Sequence, residues 1–408
     1  MLEPLETYLS LFPLQGGPVR DPFRRSLALS IQWYDCLRAD IDARQDAALC
    51  DADRKIQSHK AAGHPESGAG TREDKECSRL LQQRCPACFA GNVFGRSFKE
   101  GGDIHVALDG NFHHRHLRNA GDSPHFFHPQ YILPKRLVDD VGMHIQSLRG
   151  SRPKPHHSCV PDEAIDDCQR TYEAADGRKQ KTSLEHFDDS SIMALVCRHD
   201  IPLFLANIDS PGEQQKYAIA LIQHIFSLLP SNATVVALYD VGCVLDRSLH
   251  QYNILPEPIV ARLAFCTSAM HAYGHQWACQ LVYNPRIQVG TGLTDGEGVE
   301  RLWSRMRKLI ALERSSTVSS VSYCLTVGDE ACKRSRRLWL LDRQASAIGQ
   351  ELRDDLGRWL QRRQRLGVDA QGQKAQDALH DSGIEVPELR CQWESQRGAQ
   401  LSIRARKL

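Results

Sequence analysis

The chain has no apolar run long enough to span a bilayer and no signal-peptide pattern at Met1–Pro13, so an intracellular protein without a membrane partner is expected. It also lacks an excess of either charge. Lys and Arg number 51 against 50 Asp and Glu, a net +1. That balance gives no global nucleic-acid signature, and any DNA-binding surface must be local. No internal repeat is present, which argues against solenoid and array architectures. The fourteen cysteines are scattered over 408 residues. Inside a cell such thiols are expected to be buried or to ligate metal rather than to pair as disulfides. What is there is ordinary for a globular protein: 41% hydrophobic and 25% charged residues, enough chain for a sizeable core in one large domain or two smaller ones.

Taken in order, residues 1–50 hold four early prolines and then a helical run from Phe23 to about Leu49. Residues 51–76 are polar and Gly-containing and read as a linker. Residues 77–102 contain Cys85-Pro-Ala-Cys88, a half-site for structural Zn²⁺ that needs two more ligands. The downstream candidates are Cys159, Cys168, Cys197 and His199, and a turn with two buried cysteines is the competing interpretation. A core is expected over 103–314, interrupted at 111–187 by an insertion rich in His and Arg near its start and loop-like over 149–181. Residues 315–366 read as helical, with a basic knot at Lys333, Arg334, Arg336 and Arg337, and 367–408 as a polar tail of poor periodicity.

Within the core, Asp103-Ile-His-Val-Ala-Leu-Asp-Gly110 reads as a strand ending in an Asp-Gly turn. Two apolar runs, Ser191–Cys197 and Ile201–Ile208, read as a hairpin, and a helix follows from Pro211 to Leu229. Asn232–Asp240 is almost wholly apolar and reads as a strand buried on both faces. Leu263–Met270 reads as a strand or as the start of a helix. A Gly-rich turn at Gly292–Glu297 leads into a helix whose Val299, Leu302, Met306, Leu309 and Ile310 make one apolar stripe. Glu300 lies in its first turn.

An acid at a strand end is more often a turn residue than a ligand, and a helix N-terminal Glu more often complements the dipole. Asp109, Asp240 and Glu300, however, occur in the order of a ribonuclease-H-like fold. That α/β architecture is a mixed sheet with flanking helices, here with a long insertion after the first strand and helical N- and C-terminal extensions. In it the first and fourth strands are neighbours, their terminal carboxylates meet, and a helix packed across them supplies a third. Three such carboxylates suit two hard divalent cations, Mg²⁺ or Mn²⁺.

Several ordered motifs resemble one family. They are Cys85-Pro-Ala-Cys88, Leu108-Asp-Gly-Asn-Phe112, Val196-Cys-Arg-His199, Tyr239-Asp-Val-Gly-Cys243, the His271, His275, Cys279 series, and Gly290 to Ser304. Together, over roughly residues 80–345, they look like the KDZ (Kyakuja–Dileera–Zisupton) transposases, DDE-type enzymes abundant in fungal genomes. The resemblance implies a nuclear enzyme acting on DNA, both transposon ends and target, as a homo-oligomer when active. It implies Asp109, Asp240 and Glu300 as the acidic triad. Glu297 competes for the third place because the motif Glu-Gly-x-Glu-Arg holds two acids; Glu300 is preferred because related families place the acid directly before Arg-x-aromatic-Ser. His271, His275 and Cys279, four apart and so on one face if helical, resemble a His/Cys motif of related families. They are expected as an active-site wall or as a metal site completed by Cys266, with a buried helix face as the bland alternative. Arg301 and Arg305 are candidates for DNA-backbone contact alongside the basic knot. Larger members carry further N-terminal cysteine clusters, so binding to specific ends is expected to be reduced here. A decayed or domesticated DNA-binding copy without cleavage activity is the alternative reading.

Overall fold

The computed structural model describes residues 76–118, 128–155, 159–175, 186–210, 212–314 and 335–402, together with parts of 30–56. Its centre is a mixed five-stranded sheet in the order β5-β4-β1-β6-β7. The strands are β1 (Ile104–Asn111), β4 (Ser191–Cys197), β5 (Pro202–Ile208), β6 (Val235–Tyr239) and β7 (Leu263–Cys266). A two-stranded ladder of β2 (His116–Leu117) and β3 (Phe187–Asp189) lies apart from it. β4 is antiparallel to β1 and β5, whereas β6 is parallel to β1 and β7. It follows that β1, β5, β6 and β7 run the same way and end at one edge of the sheet.

Alternation along the strands divides the interior into two layers. Ile104, Val106 and Leu108 of β1 join Val235, Ala237 and Tyr239 of β6 on one face. There they meet the apolar sides of helices Lys135–Arg149, Gln215–Phe226 and Gly242–Tyr252. One residue out of phase, Ala107, Val236 and Leu238 face the other way. They pack with Val299, Leu302, Trp303 and Met306 of the helix Gly298–Met306 and with Leu341, Ala345 and Ile348 of the helix Ser335–Arg363. Every residue of β4 and of β6 is buried, as their unbroken apolar runs require.

The loop into the Gly298–Met306 helix lies against the entry to β1, backbone on backbone. A Cβ built on Gly290, whose φ is +85°, would stand 2.2 Å from Gly101 Cα. Only glycine allows both that conformation and that approach.

Four segments differ from the sequence reading. Asp109 is inside β1, which continues to Asn111, rather than in a turn. The stretch expected to be loop-like contains the helix Asp162–Ala175. Leu263–Met270 is a strand only as far as Cys266. Beyond Gly367 the chain is helical, Ala370–Ser382 and Val386–Ser402 following a π-helical turn at Gln364–Asp369. Most of the expected linker at 51–76, and residues 315–334 with Lys333 and Arg334, lie outside the described residues. Among the described residues no helix is long and apolar enough to cross a membrane.

Candidate active site and Cys/His clusters

The register decides which acids meet. Leu108 pairs with Tyr239 in the parallel β1–β6 ladder, so Asp109 and Asp240 follow each other's neighbours at the common strand-end edge. Both belong to the phase that faces the Gly298–Met306 helix. From that helix Trp303 Nε1–H donates to Asp109 Oδ2 at 3.1 Å. Asp240 Oδ1 accepts from Ser268 Oγ at 2.8 Å and pairs with His271 Nδ1 at 2.9 Å. The two aspartates are thus held by different elements, one by an indole and the other by the loop after β7.

The electrostatics are those of acids crowded together. Burial pushes the Asp109 carboxyl well above the usual carboxylate range, and the charges of Glu213, Asp240 and Glu300 push it further. His271 is raised to about 9, first by its hydrogen bond to Asp240 and also by the charges of Glu297 and Asp109.

The two glutamates that compete in the sequence have different surroundings. Glu297 is buried at the helix N-cap, and its Oε1 accepts the Met270 amide at 2.9 Å. It fastens the His271 loop to the helix start. Glu300 is exposed in the first turn and is among the charges felt by Asp109.

Glu213 is a fourth acid that sequence reasoning missed. It follows β5, whose C-terminal end lies at the same edge as those of β1 and β6. Tyr239 Oη donates to its Oε1 at 2.9 Å. A Cβ at Gly110 would come within 2.9 Å of its Oε2, so the glutamate tip lies close against the residue after Asp109. The available signal was its place, a Gly-Glu pair in the short joint between the second hairpin strand and the helix that follows.

The basic candidates separate by environment. Arg301 is committed to Asp200 through a two-pronged pair at 2.6 and 2.8 Å and to Asp295 at 3.1 Å, which ties the Gly-rich turn to the β4–β5 hairpin. Arg305 is solvent-facing and pairs with Glu351 at 2.9 Å. Arg337 is fully buried and pairs with Asp189 at 3.0 Å, which removes it from any DNA surface; its guanidinium also donates to the His114 carbonyl at 2.8 Å. His114, from the His/Arg-rich segment, is likewise interior and bonds Glu313 at 3.0 Å. Arg336 is part of a helix, and nothing is described of its side chain.

Two Cys/His groups could each hold a metal such as zinc. In the first, Cys85 and Cys88 meet Cys197 and His199 at the end of β4, all four buried. The His199 Nδ1 lies 3.4 Å from Cys85 Sγ, 3.2 Å from Cys88 Sγ and 3.9 Å from Cys197 Sγ. A tetrahedral zinc with Zn–S of about 2.3 Å and Zn–N of about 2.0–2.1 Å sets N···S edges of about 3.6 Å. Cys197 and His199, two of the four sequence candidates, are the ones brought to the half-site; Cys159 is exposed and Cys168 joins another group.

The second group contains Cys168, Cys243, His275 and Cys279. It corrects two expectations. His271, His275 and Cys279 do not share a helix face, because a 3₁₀ turn at His271–Gly274 ends in an extended His275 before the helix Trp277–Tyr283. His271 therefore turns to Asp240 while His275 and Cys279 turn away. Cys266 belongs to neither group; it is buried in the apolar layer beneath the Gly298–Met306 helix.

No curated protein and no solved structure matches the chain. A family model does: residues 103–327, more than half of the sequence, match the one described as KDZ, the Kyakuja-Dileera-Zisupton transposase. The match spans all five strands, both strand-end aspartates and the helix that carries Glu300. The chain belongs to the Kyakuja-Dileera-Zisupton transposase family.

Proposed function

We propose that the protein is a DDE-type DNA transposase in which Asp109, Asp240 and Glu300 hold two divalent cations, Mg²⁺ or Mn²⁺, for phosphodiester cleavage and strand transfer at transposon ends. The observation that carries this reading is the β1–β6 register, which brings Asp109 and Asp240 to one sheet edge beneath the helix that bears Glu300; burial and the negative charges of Glu213, Asp240 and Glu300 push the Asp109 carboxyl upward there. Like charges gathered at a sheet edge are costly unless a cation offsets them, and an all-oxygen donor set suits a hard one. Strand order β5-β4-β1-β6-β7, with β4 antiparallel, supports a ribonuclease-H-like core. Bound there, the cations would supply activation of the attacking water or 3′-hydroxyl and stabilisation of the leaving oxygen.

The chain's own groups do the positioning. The Trp303 indole donates to Asp109, Ser268 and His271 bond Asp240, and Glu300 stands in the first turn of the Gly298–Met306 helix. Glu297 is the alternative third acid, but one of its oxygens already receives the Met270 amide. Arg305 and the basic residues Lys333, Arg334 and Arg336 are the proposed DNA contacts. The same reading carries action in the nucleus, a homo-oligomer when active, and structural Zn²⁺ on Cys85, Cys88, Cys197 and His199.

The test is incubation of the purified chain with duplex bearing the element's ends and Mg²⁺ or Mn²⁺. Wild type is expected to nick it and Asp240→Ala to fail. Equal nicking by both overturns the proposal, and salt-dependent DNA binding without metal-dependent cleavage would assign a non-catalytic DNA-binding protein instead. In the same assay Glu300→Gln should fall on the order of 10³-fold and Glu297→Gln by no more than about tenfold; the reverse pattern would give the third place to Glu297.

A further inference from the structure

Four donors from separate parts of the chain converge beside the acidic edge without being part of it. Cys168 comes from the helix Asp162–Ala175, Cys243 from the helix Gly242–Tyr252, His275 from the turn after the His271–Gly274 segment, and Cys279 from the helix Trp277–Tyr283. All four donor atoms lie within 4.8 Å of one another. We infer that Cys168, Cys243, His275 and Cys279 form a second zinc site, which fastens the Asp162–Ala175 helix to the segments that flank Asp240.

The distances favour a shared ion over the alternatives. Cys168 Sγ and Cys279 Sγ are 3.7 Å apart, and Cys243 Sγ is 3.6 Å from His275 Nδ1. These match the edges of a tetrahedral Cys₃His zinc centre, about 3.8 Å for S···S and about 3.6 Å for S···N from the usual bond lengths. A disulfide needs its sulfurs at about 2.05 Å and would leave the third thiol and the imidazole without a role. Simple burial of thiols explains three cysteines in a core; it does not explain an imidazole nitrogen turned into their midst.

A surrounding bond fits as well. The Gln276 backbone N–H points at Cys168 Sγ, 3.4 Å away, as an amide does towards a metal-bound thiolate. The set holds no carboxylate, and soft sulfur donors select zinc over Mg²⁺. The two kinds of metal centre are therefore chemically distinct although they are close in sequence. Cys243 is three residues past Asp240, and His275 four past His271, which bonds Asp240. A zinc on the far side of these segments would hold the loop that meets Asp240 without touching it.

Metal analysis of the purified full-length chain tests this independently of cleavage. Wild type is expected to retain two zinc ions per chain after dialysis against a weak chelator, and Cys85→Ser with Cys88→Ser to retain one. Adding Cys168→Ser should remove the second. Cys168→His is the variant that keeps four donors; it should keep the metal, and after cobalt substitution it should shift the tetrahedral ligand-field bands without abolishing them. A wild-type content of one zinc that disappears with Cys85→Ser and Cys88→Ser overturns the inference. So does a cobalt spectrum of wild type that shows one tetrahedral thiolate site only.

Discussion

Asp109→Asn is expected to abolish metal-dependent strand cleavage, by on the order of 10³-fold or more, while leaving the chain as stable as wild type or more so. The substitution keeps the shape of the side chain, and its amide oxygen can still accept the Trp303 indole N–H. It removes a buried charge that burial and then Glu213, Asp240 and Glu300 all disfavour. Relief of that repulsion is expected to raise stability by up to about 1 kcal/mol, the usual pattern when a site's function requires an electrostatically strained cluster. Thermal melting and a cleavage assay on the same preparation check both halves. A variant that loses activity because it has unfolded would show a lowered Tm, and the carboxylate's role would then be structural.

The opposite behaviour is expected of Arg337→Met. The Arg337 guanidinium is wholly inside the protein, where it pairs with Asp189 and lies 3.7 Å from Glu313. Removing it takes the guanidinium away from two buried carboxylates, a loss of roughly 3–5 kcal/mol. Against a whole-protein stability of about 5–15 kcal/mol that is a large fraction of the total, and the denaturant midpoint should fall accordingly. Arg337→Lys should recover little, since a point charge cannot reach Asp189, Asn207 and the His114 carbonyl together. Arg305→Ala supplies the contrast, because its pair with Glu351 is exposed and its loss should cost under about 1 kcal/mol. Denaturant midpoints of the three variants decide the ranking; a wild-type midpoint for Arg337→Met would show that the buried network stabilises nothing.

Arg337 also shows where sequence reasoning fails. A run of Lys and Arg reads as a solvated surface, and the acids that bury its last member, Asp189 and Glu313, are 148 and 24 residues away. Nothing local marks them as partners. The strands were legible for the converse reason: β4 and β6 are unbroken apolar runs whose burial on both faces is written in composition. Asp109 and Asp240 stood out as candidates because each follows a mostly apolar stretch. Glu213 was not, because its relevance depends on which edge of the sheet the β5 strand ends at. Spacing misled at His271, His275 and Cys279. A period of four suggests a helix face, but the backbone breaks at Gly274 and sends the two histidines to different partners. The helices Ala370–Ser382 and Val386–Ser402 escaped because none of their residues is buried, so no apolar stripe records their period.

The most direct measurement is anomalous scattering from crystals of the chain soaked in Mn²⁺. Two peaks about 4 Å apart are predicted between Asp109 and Asp240, with Glu300 in coordinating reach and both peaks lost in Asp109→Asn. Density for manganese elsewhere, with none between those two aspartates, would contradict the account.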